Sequence, residues 1–181
     1  EKWMASFGAK GKRAVLDGAE LDNVDFSGIN LSGASMIGAS LTGARFMGSA
    51  LNMADLSGTN IYKGKLDKAE MTGINLSGAD LTDASLQEAD ISAADIKDRD
   101  GNSTGRAWPA NLSEANLSRS NLTATILRGA NLSNSNPEIT RVSTISNDIK
   151  SGVGYIIPAS AVIGFFASLF AGSYVLSIAV A

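Results

Sequence analysis

The sequence contains no cysteine and no histidine, and only 6% of its 181 residues are aromatic. Without cysteine there is no disulfide and no thiolate metal ligand, and without histidine there is no imidazole ligand and no Ser–His or Cys–His nucleophile. A phosphate-binding loop and a nucleophile elbow are also missing. We therefore expect no enzyme activity, no metal, no cofactor and no small-molecule substrate.

Charge is unevenly distributed along the chain, although the net charge is only −3. Residues 14–96 hold twelve acidic and four basic side chains, a net charge of −8, and the other residues hold six acidic and eleven basic side chains, a net charge of +5. The acidic stretch disfavours direct binding to nucleic acid, because that affinity depends largely on Lys and Arg contacts to phosphate. The length is typical of one domain.

A large apolar residue occupies every fifth position through much of the sequence, a period that neither a helix nor a flat strand has. Two residues before each of these centres the chain is small or β-branched, and two residues after it glycine recurs. The centres are Leu16, Leu21, Phe26, Leu31, Met36, Leu41, Phe46, Leu51, Leu56, Ile61, Leu66, Met71, Leu76, Leu81, Leu86, Ile91 and Ile96.

This internal repeat predicts a solenoid of square turns. Each centre and the residue two before it lie on the same side of an extended segment, and glycine marks a corner because a positive φ costs it nothing. Four units close one turn of twenty residues, so residues twenty apart stack in columns. One predicted column holds Leu16, Met36, Leu56, Leu76 and Ile96, and another holds Phe26, Phe46, Leu66 and Leu86.

The pattern A-[DN]-L-x-x over residues 14–96, which resumes at Ala110, resembles the pentapeptide-repeat family. The resemblance implies an all-β fold, a right-handed quadrilateral parallel β-helix of about 22 repeats. Asn and Asp residues before the centres are expected to form a solvated polar coat with local turn hydrogen bonds. Exposed apolar residues are candidate docking points: Ile37 and Met53 near one corner, and Met47 and Tyr62 elsewhere.

The repeat region, residues 14–136, is interrupted by residues 97–109, which predict a loop that leaves the column. Trp108 with Arg99 and Arg106 either docks on a partner, or Trp108 folds back over the apolar column. Residues 1–13 form either a short amphipathic cap or a basic arm that contacts anionic lipid, and residues 137–151 form a second cap and linker.

Residues 152–181 predict a single transmembrane helix, with a dimerising apolar helix as the alternative. Residues 157–181 alone exceed the roughly 20 apolar residues that a bilayer crossing needs, and they show no polar stripe. Small residues recur every fourth position at Ser160, Gly164, Ser168 and Gly172. Such a face allows close packing against another membrane helix.

These features favour a non-enzymatic, membrane-anchored scaffold subunit, whose partners are the lipid bilayer and the other subunits of a membrane complex. The resemblance implies a thylakoid host, such as a photosystem with its antenna, with the repeat domain in lumen or stroma. It also implies an alternative, an acidic mimic of DNA that protects DNA gyrase, and a lesser one, a bacterial effector or toxin. A membrane-spanning tail argues against the gyrase alternative.

Overall fold

The computed structural model describes residues 13–98 and 100–136. Within them the chain winds into a column of stacked square coils, held together by parallel bridges between short extended segments. Coils 1 to 4 comprise residues 14–33, 34–53, 54–73 and 74–93, coil 5 comprises residues 110–129, and residues 130–136 begin another coil. The predicted quadrilateral β-helix is confirmed for this part of the chain.

Each coil contributes one outward-facing residue to each of four faces, which we call A to D, and the corners between them are AB, BC, CD and DA. Face A stacks Val15, Ser35, Asp55, Asn75, Asn111 and Asn131, and face B stacks Glu20, Ser40, Asn60, Asp80, Asn116 and Asn136. Face C stacks Asp25, Arg45, Lys65, Ser85 and Asn121, and face D stacks Asn30, Ala50, Glu70, Asp90 and Ile126.

Hydrogen bonds between coils satisfy the backbone, so no coil is stable without its neighbours. The N–H of Leu16 donates to the Ser35 carbonyl at 2.7 Å, and the N–H of Ser35 donates to the Ala14 carbonyl at 2.9 Å. The same pair of bonds recurs up the column on each face.

The predicted centres point inward and fill the interior. Met36, Leu41, Phe46 and Leu51 in coil 2 are all 0% exposed, and the rings of Phe26 and Phe46 stack with centroids 5.0 Å apart. In coils 2 to 4 the small or β-branched residues two before the centres are buried beside them, as Ala34 and Ile74 are, at 1% and 0% exposure. The column of Phe26 and Phe46 is confirmed.

At the corners, the residue two after the centre adopts a left-handed conformation whether or not it is glycine, except at Ala93, where the chain leaves the column for the hairpin. Lys68 and Glu88, at corner CD, have φ of 59° and 58°. The Asn or Asp before the centre supports this turn by accepting a hydrogen bond from the N–H two residues later, as Ser27 donates to Asp25 at 2.9 Å. The predicted local turn bonds of the polar coat are confirmed, and the glycines are not obligatory.

Where the residue before the centre is not Asn or Asp, the preceding coil can supply the acceptor instead. Asp22 accepts hydrogen bonds from the Thr42 N–H at 2.9 Å and from the Ser40 hydroxyl at 2.6 Å. The Asn52 side-chain oxygen likewise accepts hydrogen bonds from the Thr72 N–H at 2.9 Å and from the Thr72 hydroxyl at 2.8 Å. These polar side chains fasten successive coils to each other on the outside of the column.

The column is interrupted by an antiparallel hairpin of two strands, β1 (Ala94–Lys97) and β2 (Ser103–Trp108). The prediction that Ile96 continues the column of Leu76 is wrong, because Ile96 lies on β1 opposite Arg106. The residue that stacks on Asn75 in the next coil is Asn111, which lies 36 residues later in the sequence rather than 20. The insertion therefore begins three residues before the predicted loop, and its sixteen extra residues explain why the repeat resumes one position out of phase.

None of the structural elements within residues 13–98 and 100–136 is a helix with the length and hydropathy of a membrane span. The transmembrane helix predicted for residues 152–181 lies outside the described residues, as do Ser160, Gly164, Ser168 and Gly172. The predicted cap at residues 137–151, Arg99, and the predicted cap at residues 1–13 apart from Arg13 also lie outside them.

Candidate docking surface at the inserted hairpin

The hairpin closes through a tight turn organised by one carboxylate. Asp98 accepts hydrogen bonds from the backbone N–H groups of Asn102 and Asp100, each at 2.9 Å, while Gly101 takes a φ of 85°. The Asn102 N–H, together with that of Asp100, lowers the pKa of the Asp98 carboxyl below its ordinary value. Farther along the hairpin, the Ser103 hydroxyl donates to Asp95 at 2.7 Å and the Thr104 hydroxyl to the Ile96 carbonyl at 2.5 Å.

The base of the hairpin packs on corner DA at Gly73, which is buried there. A Cβ atom placed on Gly73 would lie 2.6 Å from the sulfur of Met53, 2.9 Å from the Cβ of Ala94 and 3.5 Å from Cδ1 of Trp108. A side chain at this position would therefore overlap both the hairpin and the neighbouring coil. Glycine lets β1 and the Trp108 ring approach the column closely.

Trp108 and Met53 both approach Gly73 at this corner and stay substantially exposed, at 56% and 44%. The predicted folding of Trp108 back over the column is realised in part, because its ring lies against corner DA while much of its surface remains exposed. Docking of Trp108 on a partner stays a prediction. Arg106, two residues before it on β2, is also exposed. We call Met53, Arg106 and Trp108 the hairpin surface.

The other predicted docking residues are not brought together. Ile37 is 45% exposed on corner AB, so the expectation that it shares a corner with Met53 is wrong, since the two lie on the corners at either side of face A. Met47 is 40% exposed on corner CD. Tyr62, on corner BC, is only half-buried rather than exposed, and the Lys63 ammonium lies 4.9 Å from its ring centroid.

Basic residues are gathered on one side of the column, a feature that the sequence-based reasoning did not identify. Face C and corners BC and CD carry Arg45, Lys63, Lys65, Lys68 and Arg119. Ion pairs balance many of them: Arg119 with Asp83 at 2.8 Å, Arg45 with Asp25 at 3.5 Å and Lys68 with Glu88 at 3.7 Å. On the remaining faces and corners of the described coils, Arg128 is the only basic residue. The side formed by face C and its two corners therefore has basic and acidic residues in balance, and the remaining sides together have a net negative charge.

The Arg119–Asp83 pair makes the stability of the column sensitive to acid. The guanidinium donates to both carboxylate oxygens at 2.8 Å and lowers the pKa of Asp83 below its ordinary value of 3.8. Because the folded-state pKa is the lower one, the stabilisation is present above pH 3.8 and is lost as the pH falls through the lowered value. We expect the free energy of unfolding of Asp83→Asn to fall less steeply with acid than that of the parent chain.

Urea unfolding at a series of pH values down to strong acid measures this difference. Glu114→Gln is a suitable control, because the Glu114 side chain is exposed and forms no hydrogen bond with the described residues. If the free energy of unfolding fell equally steeply with acid for the parent chain and for Asp83→Asn, the acid sensitivity would not come from the Arg119–Asp83 pair.

The model of pentapeptide repeats matches residues 8–33, 25–61, 65–98 and 110–136, which is more than half of the chain. This chain belongs to the pentapeptide-repeat family. The family match and its structural neighbours imply that the β-helix is right-handed, and the resemblance inferred from the sequence is confirmed. The match also skips residues 99–109, where the hairpin turns and returns to the column.

Solved pentapeptide-repeat structures resemble this fold. Rfr23 from the cyanobacterium Cyanothece 51142 is 20% identical with a TM-score of 0.57, and the match covers 69% of this chain and 89% of that one. A protein from the Arabidopsis thaliana thylakoid lumen is 23% identical with a TM-score of 0.44, over 62% and 71% of the two chains. Trypsin-treated QnrB1, a plasmid-mediated fluoroquinolone resistance protein, is 19% identical with a TM-score of 0.30, over 70% and 86%. A comparison with curated proteins found no match.

Proposed function

We propose that this pentapeptide-repeat protein is a non-enzymatic, membrane-anchored scaffold subunit of a larger membrane protein complex. Residues 152–181 supply the membrane helix, and the β-helix presents the hairpin surface to a neighbouring subunit. The sequence pattern holds about 22 pentads, of which the one centred on Ile96 belongs to β1 and the others to the β-helix. A thylakoid photosystem–antenna assembly is the host that the family resemblance favours.

The observation that carries this proposal is the hairpin surface. Trp108 and Met53 are large, exposed and apolar, and the close packing at Gly73 fixes them on a rigid column. Arg106 is exposed on the same strand, two residues before Trp108. Trp and Arg are enriched among the residues that dominate binding energy at protein interfaces. A fixed position lowers the entropy lost when a partner binds. This surface therefore fits a protein partner.

The anchor is supported by the composition of residues 151–181, which contain no Asp, Glu, Lys or Arg. The four-residue spacing of Ser160, Gly164, Ser168 and Gly172 suits packing against another membrane helix. The proposal that the protein is not an enzyme is supported by the packing of the column. Its interior is filled by apolar centres and its carboxylates face outward, whereas catalysis needs polar groups converging in a concave site.

The gyrase-protecting alternative has weaker support. A mimic of DNA needs negative charge along its exposed sides. Faces B and D carry two carboxylates each, and face A carries only Asp55. The ion-paired side with five basic residues does not fit that requirement. We therefore retain gyrase protection as the alternative to test if the chain proves to be soluble.

The first test of the anchor compares the full chain with a chain ending at Lys150. After a carbonate wash of membranes, we expect the full chain to remain and the shorter chain to be released. Native gel separation of a detergent extract should then place the full chain in a large complex. A full-length chain that is soluble and dimeric would overturn the proposal, and protection of DNA gyrase would become the next assay.

The hairpin surface is tested in the same extract with matched methionine variants. Met53→Ala and Trp108→Ala are each expected to weaken association with the complex about 30-fold, the effect of losing an interface hot spot. Met47→Ala removes a methionine that is similarly exposed, 40% against 44%, on another corner and should leave association unchanged. Equal retention of all three variants would show that the partner binds elsewhere.

A further inference from the structure

The lower end of the column, coil 1, exposes side chains that are buried at every equivalent position one coil higher. Met36, Leu41, Phe46 and Leu51 are 0% exposed, whereas Leu16, Leu21, Phe26 and Leu31, directly below them, are only partly buried. Ile29, which points into the same interior, is 45% exposed. The lower end is thus an uncovered cross-section of the hydrophobic core.

The backbone at this end is also incomplete. In coil 2 the N–H groups of Ser35, Ser40, Arg45 and Ala50 donate to coil 1 carbonyls at 2.9 to 3.1 Å. In coil 1 the equivalent N–H groups, those of Val15, Glu20, Asp25 and Asn30, find no acceptor among the described residues. A β-helix end with open donors and exposed apolar side chains needs a cover.

Within coil 1 the rim of this end is acidic, and the exposed Arg13 directly precedes it. Asp17, Glu20, Asp22 and Asp25 surround coil 1, and coil 1 has no Lys or Arg. Asp17 and Asp22 accept hydrogen bonds from neutral donors of coil 2, which leave their charge uncompensated. Asp25 is partly neutralised by Arg45 from the coil above, at 3.5 Å, so the perimeter of coil 1 keeps a net negative charge. The cover should therefore be apolar where it meets the core and basic at its edge.

From these features we infer that the occupant is the segment directly preceding coil 1, residues 1–12. It contains Trp3, Met4 and Phe7, and its basic residues Lys2, Lys10 and Lys12 outnumber its single acid, Glu1. The aromatic side chains cover the open core, and the lysines meet the acidic rim. A second copy stacked end to end fits poorly, because two acidic rims would face each other.

Residue-resolved hydrogen exchange on the full chain, in a neutral detergent, tests this inference. The reporters are the N–H groups of Leu16, Leu21 and Leu31, which donate to coil 2 at 2.7 Å, with coil 5 as the internal reference. Replacing both Trp3 and Phe7 with alanine should speed exchange in coil 1 about ten- to hundred-fold, the effect of exposing one or two apolar side chains. Exchange in coil 5 should not change.

A charge reversal tests the rim without removing apolar area, and so covers the case in which the aromatic variant aggregates. Lys12→Glu should speed exchange in coil 1 about two- to five-fold, the range of an exposed ion pair. Adding Glu20→Lys should restore the parent rate, because Glu20 lies on the rim and its side chain bonds to no described residue. Adding Glu114→Lys, in coil 5, should not restore it.

Three results would overturn the inference. Hydrogen-exchange rates in coil 1 that stay unchanged by all of these substitutions would show that residues 1–12 do not cover the lower end. Protection that weakens on dilution, with a dimer in sedimentation, would assign the lower end to a second copy. Protection that arises only with phosphatidylserine vesicles would make residues 1–12 a basic arm for anionic lipid.

Discussion

Ile91→Ala is expected to lower the free energy of unfolding by about 2–5 kcal/mol, whereas the same substitution at Ile96 should lower it by only about 1 kcal/mol. Both residues are isoleucines at centres of the same five-residue pattern. Ile91 is 0% exposed inside coil 4, where its removal leaves a cavity between stacked centres. Ile96 lies half-buried on β1, opposite Arg106, where the site can relax.

Equilibrium urea unfolding of the two variants and the parent chain measures both free energies. The pair is matched in residue type and in pattern position, so the difference between the two losses reports burial and the cavity that each substitution leaves. Losses of equal size at Ile91 and Ile96 would show that the column continues through Ile96 and that the hairpin is assigned incorrectly.

Gly73→Ala is expected to destabilise the protein by about 2–4 kcal/mol, with about 1–2 kcal/mol from the left-handed backbone and the rest from overlap. The new Cβ would meet the Cβ of Ala94 at 2.9 Å and the sulfur of Met53 at 2.6 Å. Ala94 has no side-chain freedom with which to move away, so the base of the hairpin must shift. Trp108 should move with it.

Gly78→Ala is the matched control for this substitution. Gly78 has the same φ of 65°, and a Cβ there would meet nothing within 4 Å, so only the backbone contribution should remain. Thermal unfolding gives the stability difference, and Trp108 fluorescence in a Trp3→Phe background reports movement of the hairpin. Equal losses of stability for Gly73→Ala and Gly78→Ala, with unchanged Trp108 emission, would show that the hairpin does not pack on corner DA.

Much of the fold could be predicted from the sequence because its determinants are local. A centre every fifth residue, a small residue two before it and Asn or Asp one before it already specify a side, a corner and the turn hydrogen bond. Phe26 and Phe46 illustrate this, since their stacking follows from the period alone. The corner conformation is equally local, although Lys68 and Glu88 show that glycine is not its only residue.

Other features depend on contacts between residues far apart in the sequence. Ile96 satisfies the local pattern as well as Ile91 does, but residues 97–109 provide no centres to complete a coil, so the chain pairs with itself and Asn75 meets Asn111 instead. Gly73 and Gly78 also look alike in the sequence, and only the packed hairpin distinguishes them.

The sequence by itself determined the β-helix, its inward residues and its acidic balance, because a period of five fixes which side chains point inward. The tertiary structure decided where the column breaks, that Met53 and Trp108 both lie close to Gly73, and that five basic residues share one side. The physical reason is that these outcomes depend on which segments stack at a distance of twenty or 36 residues, and hydrogen bonds between coils choose that register.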